Sequence, residues 1–259
     1  MLYLFIKFKI IWKEAIMKVI KVKNITKSYN GNVVLGPINL EIESGSSVAI
    51  FGVNGAGKTT LCEIISNTKN ASTGEIEYNF NKKDIPYVVG INFQDQVYPN
   101  FITVKELINF YHKIYLDKIK PEIFNSMLDK FQLKELYKHK VNSLSGGQRQ
   151  RVNLFLSLFH QPKIYIGDEI STGLDVKTRI DIINFLQEQI SLNNITLILV
   201  SHNLDEIQAL CKRIIFLKDG QIIDDTTVVE VTKKYGSLLK YYLEKTETSL
   251  EITTRKEKK

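Results

Sequence analysis

Apolar residues change their spacing twice along the chain. Between Val19 and Phe93 they come in short alternating or continuous runs, VIKVKNI, NLEIES, SVAIF, NASTGEIEYNF and DIPYVVGINF, punctuated by Asn30-Gly31, Gly36-Pro37 and Ser44-Gly45. Alternation with a period of two between turn residues predicts strands. From Thr103 the pattern shifts, because VKELINFYHKIY and PEIFNSMLDKFQLKELY place apolar residues three and four apart, which predicts helices. After Pro162 the two patterns alternate: KIYIG, TRIDIINFLQEQISL, ITLILVS, LDEIQALC and RIIFLKDG. Short apolar strands separated by amphipathic helices predict an α/β fold whose mostly parallel sheet is covered on both faces. No repeat and no Pro- or Ser-rich linker interrupts the chain, so one domain with internal subdivisions is expected.

The two ends read differently. MLYLFIKFKIIWKEAI is apolar, but Lys7, Lys9 and Lys13 interrupt it long before the roughly 20 residues a spanning helix needs. Those lysines fall inside the apolar stretch rather than ahead of it, which is not the order of a secretory signal. Residues 1–16 are either an extension ahead of a first strand beginning at Met17 or an interfacial membrane anchor. TETSLEITTRKEKK, at the other end, is a polar tail without periodicity.

At 259 residues, with 44% hydrophobic and 24% charged, the chain has the balance of a folded protein and can bury a core without disulfides. Its net charge of +7 is spread along the chain, which speaks against a nucleic-acid groove and suits an anionic membrane surface. Cys62 and Cys211 form neither a zinc motif nor a redox pair, and a reducing cytoplasmic setting is the default expectation.

The chemistry begins at SVAIFGVNGAGKTTLCEII. An apolar strand runs into Gly52-Val53-Asn54-Gly55-Ala56-Gly57-Lys58-Thr59-Thr60 and then into a helical run. This is a G-x-x-x-x-G-K-T phosphate loop in its proper context: glycines let backbone N–H groups converge on phosphates, Lys58 reaches the terminal ones, and Thr59 can ligate Mg²⁺. The strand IYIGDE ends in two acids, of which Asp168 suits the Mg²⁺ and Glu169 suits polarising an attacking water. Alone, such a pair reads as a charge pair at a helix start. In LSGGQRQR, Ser145 and Gln148 have capping-box spacing, and Gly146 and Gly147 leave the helix start open to an anion.

LSGGQ after a helical stretch, 21 positions ahead of Asp168 and downstream of a phosphate loop, resembles the ATP-binding subunits of ABC transporters over residues 17–240. The resemblance implies a P-loop ATPase core with an N-terminal antiparallel β-subdomain and a helical signature insert at about 98–158, followed by a C-terminal segment, 241–259. It implies that Tyr29 stacks on adenine, that Gln94 senses Mg²⁺ and the attacking water, and that His202 hydrogen-bonds the γ-phosphate; Gln96 competes with Gln94 for its role. Ser171 to Asp175 resembles the D-loop, which touches a second subunit. Ser145, Gly146, Gly147 and Gln148 would close on ATP held by a partner's phosphate loop, so the active form is a homo- or heterodimer. The expected cofactors are ATP and Mg²⁺, and the expected partner is a separate multi-span permease at the cytoplasmic face of the membrane. EIQALCKRIIFLKDGQIIDDTT and KKYGSLLKYYLE look most like the ATPase subunits of drug, antibiotic and bacteriocin exporters, which makes export the expected direction. A nutrient importer, or a soluble ABC ATPase acting on ribosomes or DNA, stays open as an alternative. Two residues depart from the family pattern: Ile170 stands where Pro follows the acid pair, and Gly167 replaces an apolar residue. Without the fixed φ of proline, the loop carrying Glu169 is expected to be looser and hydrolysis slower.

Overall fold

A computed structural model describes residues 17–93, 96–115, 119–171 and 174–246. The chain builds two sheets. Three antiparallel strands, β1 (Lys18–Tyr29), β2 (Asn32–Glu43) and β4 (Thr73–Tyr78), lie in the order β2-β1-β4. The turn joining β1 to β2 is Asn30-Gly31, both at positive φ, the geometry that matches the twist of a tight hairpin. Gly36 and Pro37, expected as a turn, instead lie inside β2. Gly36 meets the loop after β8 through its N–H, which donates to Gly220 O at 2.8 Å.

The second sheet has the order β5-β6-β7-β3-β8-β9. Its members are β3 (Ser47–Gly52), β5 (Val89–Asn92), β6 (Ile164–Asp168), β7 (Thr196–Val200), β8 (Arg213–Lys218) and β9 (Gln221–Thr227). All neighbours are parallel except β8 and β9, which form a hairpin over Asp219-Gly220. Alternation sorts the buried strands into two cores. Val48 and Ile50 of β3, Ile164 and Ile166 of β6, and Ile198 and Val200 of β7 pack toward the antiparallel sheet and α1 (Lys58–Ile65). Ala49 and Phe51, Tyr165, and Leu197 and Leu199 face the opposite side, among the helices. Strands buried on both faces need continuous apolar sequence, which KIYIG and ITLILV supply.

DIPYVVGINF divides into one helical turn, α2 (Ile85–Val88), and the short β5. Pro86 sits in the first turn of α2, where its missing N–H breaks no helical bond. The helical insert contains α3 (Val104–Ile114), α4 (Pro121–Lys130) and α5 (Gly146–Leu158). The expected single helix over PEIFNSMLDKFQLKELY breaks after Lys130, because Gln132 turns left-handed at φ 52° before a separate 3-10 turn at Lys134–Leu136. The outer layer is completed by α6 (Val176–Asn193), α7 (Leu204–Leu210), α8 (Val228–Tyr235) and α9 (residues 238–246). Tyr241 of α9 is fully buried against Phe216 of β8. Residues 1–16 and 247–259, where the anchor or extension and the polar tail are expected, lie outside the described residues.

Candidate functional site

Three adjacent strands, β3, β7 and β6, end at one place, the carboxyl edge where open α/β sheets hold their ligands. A cavity of about 350 Å³ opens there. Asn54, Gly55, Lys58, Thr59, Asp168, Glu169 and His202 all line it, so residues separated by nearly 150 positions in sequence converge.

The phosphate loop follows β3. Gly57 has φ 94°, and a Cβ there would stand 2.5 Å from Leu35 Cδ2, so the loop can pass only as glycine. α1 then starts without a side-chain cap and without an acid in its first turn. Helices α3, α5 and α8 each close their N-termini with a full capping box. The open N–H groups of α1 therefore face the cavity ready for an anion. Lys58, only 6% exposed, donates to Gly52 O at 3.0 Å and Val53 O at 2.8 Å. An ammonium has three donors, which leaves one for a phosphate oxygen. Burial lowers the Lys58 pKa, and the charges of Asp168 and Glu169 oppose that shift.

Thr59 Oγ1 donates to Asp168 Oδ2 at 2.6 Å. Asp168, at the end of β6, is 4% exposed, and burial raises its carboxyl pKa while the Thr59 hydrogen bond and Lys58 work the other way. A hydroxyl and a single carboxylate suit Mg²⁺, which takes few protein oxygens and fills its shell with phosphate and water. No group of three or more His, Cys, Asp or Glu that could hold a metal occurs among the described residues. The donor set and the open helix start together fit Mg-ATP.

Glu169 adopts φ 51°, an uncommon value for a non-glycine residue, and its Oε1 stands 3.5 Å from His202 Nε2. Its N–H donates to Val200 O at 2.8 Å, and Gln150 Nε2 donates to the next carbonyl, Ile170 O, at 2.6 Å. Ile170 itself is fully buried. The loop expected to be loose without proline is thus anchored at three points. His202 follows β7 in a turn fixed by its neighbours: Ser201 Oγ donates to Glu206 Oε2 at 2.6 Å and accepts from Asn203 N at 2.9 Å. Burial lowers the His202 pKa, as does Lys58, while Glu169 and Asp168 pull it up. Sequence reasoning passed over Ser201, Asn203 and Glu206, although Asn203 with Glu206 three residues on has the spacing of a helix N-cap, whereas the bond from Gln150 to Ile170 O joins residues 20 apart and has no local signal.

Ser145, Gly146, Gly147 and Gln148 do not reach this cavity. They form the start of α5, where Ser145 N donates to Gln148 Oε1 at 3.0 Å and Gln148 N donates to Ser145 Oγ at 3.3 Å. The Gln148 side chain is therefore engaged as a cap, whereas Ser145 and Gly146 are exposed to solvent. Tyr29 also stands outside the lining; it is 40% exposed, with Lys27 Nζ 5.1 Å and Lys69 Nζ 5.6 Å from its ring centroid. Val34, from the neighbouring strand, lines the cavity instead. Gln94 lies outside the described residues, as do Thr172 and Gly173 of the D-loop stretch. Gln96 is held by the Tyr98 hydroxyl, which also reaches Asn153 Oδ1 at 2.9 Å. Asp175 caps α6 by accepting from Thr178 N at 3.0 Å, and its bonds to Thr178 lower its carboxyl pKa.

Known proteins are similar to this chain in sequence and in fold. The family described as "ABC transporter" matches residues 35–172. The nickel import system ATP-binding protein NikE of Staphylococcus aureus (strain MRSA252) is 34% identical over 214 residues, covering 82% of this chain and 92% of that protein. The ATP-binding cassette MJ0796, solved as a dimer in a post-hydrolysis state with ADP and Pi, superposes with a TM-score of 0.71 at 27% identity, covering 80% of this chain and 98% of its own. The cbiO1 protein of Clostridium perfringens, part of the ABC transporter complex cbiONQ, superposes with a TM-score of 0.66 at 25% identity over 88% of this chain and 99% of its own. With the phosphate loop, the acid pair and the histidine gathered at one sheet edge, and with relatives matched over nearly their full length, the chain belongs to the ABC transporter family as its ATP-binding, ATP-hydrolysing component.

Proposed function

We propose that this chain is one of two ATPase subunits that power a membrane importer from its cytoplasmic face. The observation that carries the reading is the convergence of Lys58, Thr59 with Asp168, and Glu169 with His202 on one cavity. The open N–H groups of α1 and the remaining Lys58 donor bind the terminal phosphates. Thr59 and Asp168 would hold Mg²⁺, with Gln94 as a further ligand, and the ion would supply positive charge against the phosphates. Glu169 accepts the proton of the attacking water. His202, whose pKa is lowered by burial and by Lys58 against the pull of Glu169 and Asp168, offers a ring N–H to the γ-phosphate.

The signature residues act on a different nucleotide. Ser145, Gly146 and Gly147 present the start of α5 to solvent, away from the chain's own phosphate loop. A second subunit supplies the loop they close on, and hydrolysis releases that closure. The dimeric MJ0796 structure supports this pairing. No described helix is long and apolar enough to cross a membrane; in this reading the passage is supplied by a permease. Tyr29, 40% exposed beside Lys27 and Lys69, would stack on the adenine.

Import is favoured over the exporter reading by the relatives, whose names assign them to a nickel import system. The C-terminal stretch that resembled exporters lies beyond the catalytic residues and changes none of them. Relatives of this kind also support a membrane partner over a soluble role on ribosomes or DNA. The test is recovery of tagged Glu169→Gln protein from detergent-solubilised membranes with Mg-ATP, followed by reconstitution of wild-type chain with the recovered permease in vesicles. A multi-span partner and ATP-driven movement of solute away from the binding face toward the ATPase side are expected. Movement away from the ATPase side would replace import by export, and ribosomes or repair factors alone would end the transport reading.

A further inference from the structure

Gly167 is the penultimate residue of the buried strand β6, where a residue without a side chain normally weakens packing. The space beside it is not empty. An ideal Cβ at Gly167 would lie 2.5 Å from Ile170 Cγ2, 3.2 Å from Tyr165 Cε1 and 3.3 Å from Tyr165 Oη. Carbon atoms at ease sit about 3.5–4.0 Å apart, so no larger residue fits unless a neighbour moves. Tyr165 is fully buried and held within its core. Ile170, equally buried, folds back over the strand and occupies the volume that a side chain at 167 would take.

Between these two residues the backbone must reverse, and it does so at Glu169, whose φ of 51° is the left-handed conformation. Such a conformation costs free energy in a residue with a β-carbon and persists only where the surroundings enforce it. Three contacts enforce it here: the Glu169 N–H on Val200 O, Gln150 on Ile170 O, and the Ile170 side chain seated on Gly167. A proline at 170 would drive residue 169 toward extended backbone, incompatible with the observed turn.

We propose that Gly167 and Ile170 are a mutually dependent pair of positioning residues, in which the Ile170 side chain, docked in the space left by Gly167, holds Glu169 left-handed and turns its carboxylate to His202 and the cavity. The inference rests on Glu169 serving as the base. It makes the two departures from the family pattern one structural device: the glycine is required by the isoleucine, and the isoleucine replaces the restraint a proline would impose.

The experiment is a double-mutant cycle, Gly167→Ala, Ile170→Ala and both together, with steady-state ATP hydrolysis, ATP binding by the Lys58-containing loop and thermal midpoint measured on each. Gly167→Ala is expected to lower kcat by about tenfold or more, the factor produced by ~1.4 kcal/mol in the barrier, with ATP affinity changed by less than about threefold. Removing Ile170 Cγ2 makes room for the new Cβ, so the double variant should be at least as active as Gly167→Ala, with effects on log kcat that do not add. Wild-type kcat in Gly167→Ala, or additive effects, overturns the pair. If Gly167→Ala does not fold, recovery of folded protein in the double variant supports the contact and its absence refutes it. Glu169→Gln, measured alongside, separates the two readings. Retained turnover there removes the base and with it the positioning role; lost turnover with additive effects at 167 and 170 removes the pair alone.

Discussion

Lys58 offers the sharpest test of how the cavity binds nucleotide. Its ammonium is nearly buried and already donates to two loop carbonyls, Gly52 O and Val53 O. Lys58→Met keeps the aliphatic stem, which packs under the loop, and removes only the charge and its donors. A hydrogen bond to a charged group contributes about 1.5–3 kcal/mol, so ATP affinity should fall by roughly 10- to 150-fold. The loss should be graded along the phosphate chain, full for ATP, partial for ADP and absent for AMP, because Lys58 reaches past the loop toward the terminal phosphates. Stability without ligand should change far less, because burial disfavours the ammonium that the variant removes. Calorimetric titration with the three nucleotides, and thermal melts with and without Mg-ATP, measure both quantities. An ATP affinity within about threefold of wild type, or an equal loss for AMP, would refute the assignment of Lys58 to the terminal phosphates.

Two further predictions concern the assembly and the helical layer. If the signature acts across a dimer, Lys58→Met and Gly147→Trp subunits should each be inactive alone, yet a mixture should regain hydrolysis, because one of the two sites then combines an intact phosphate loop with an intact signature; a mixture with no activity above the separate proteins contradicts the shared site. His160 stacks on Tyr115 with ring centroids 4.7 Å apart, and burial pushes its pKa down to about 4. Its folded value lies below the unfolded one, near 6.5, so the unfolded chain binds the proton first and stability falls as the pH drops from about 6.5 to about 4. The loss should approach 3 kcal/mol, and His160→Phe, which keeps a stacked ring, should flatten that part of the urea-unfolding profile against pH. An unchanged slope would show that the ring titrates normally.

Residues 17 to 246 show how much of this could be read without coordinates. The continuous apolar runs in SVAIF and ITLILV announced strands buried on both faces, and the phosphate loop, acid pair and histidine each carried a chemical signature in a local context. Asn30-Gly31 declared its hairpin because few residues accept positive φ twice in succession. Gly36-Pro37 misled for the opposite reason: the same residue types that make turns are also accepted within a strand such as β2. DIPYVVGINF and PEIFNSMLDKFQLKELY were broken by local geometry, a proline at a helix start and a left-handed Gln132, that periodicity does not register.

By itself, then, the sequence determined which residues are chemically able to hold phosphates, Mg²⁺ and a water, and which segments would be strand or helix, since both follow from side-chain type and from spacing of a few residues. Only the tertiary structure decided which of them meet. Sheet order places the ends of β3, β6 and β7 side by side, and so sets Thr59 against Asp168 and Glu169 against His202, whereas Ser145 and Gly147 are carried to a different surface. The same is true of Gly167 and Ile170. Three positions apart, they look like unrelated substitutions, and they become one contact only when the chain reverses at Glu169 over a core that leaves no room for a second side chain. Spacing along a chain is a one-dimensional quantity; van der Waals exclusion acts in three dimensions, and it was settled only when the strands had packed.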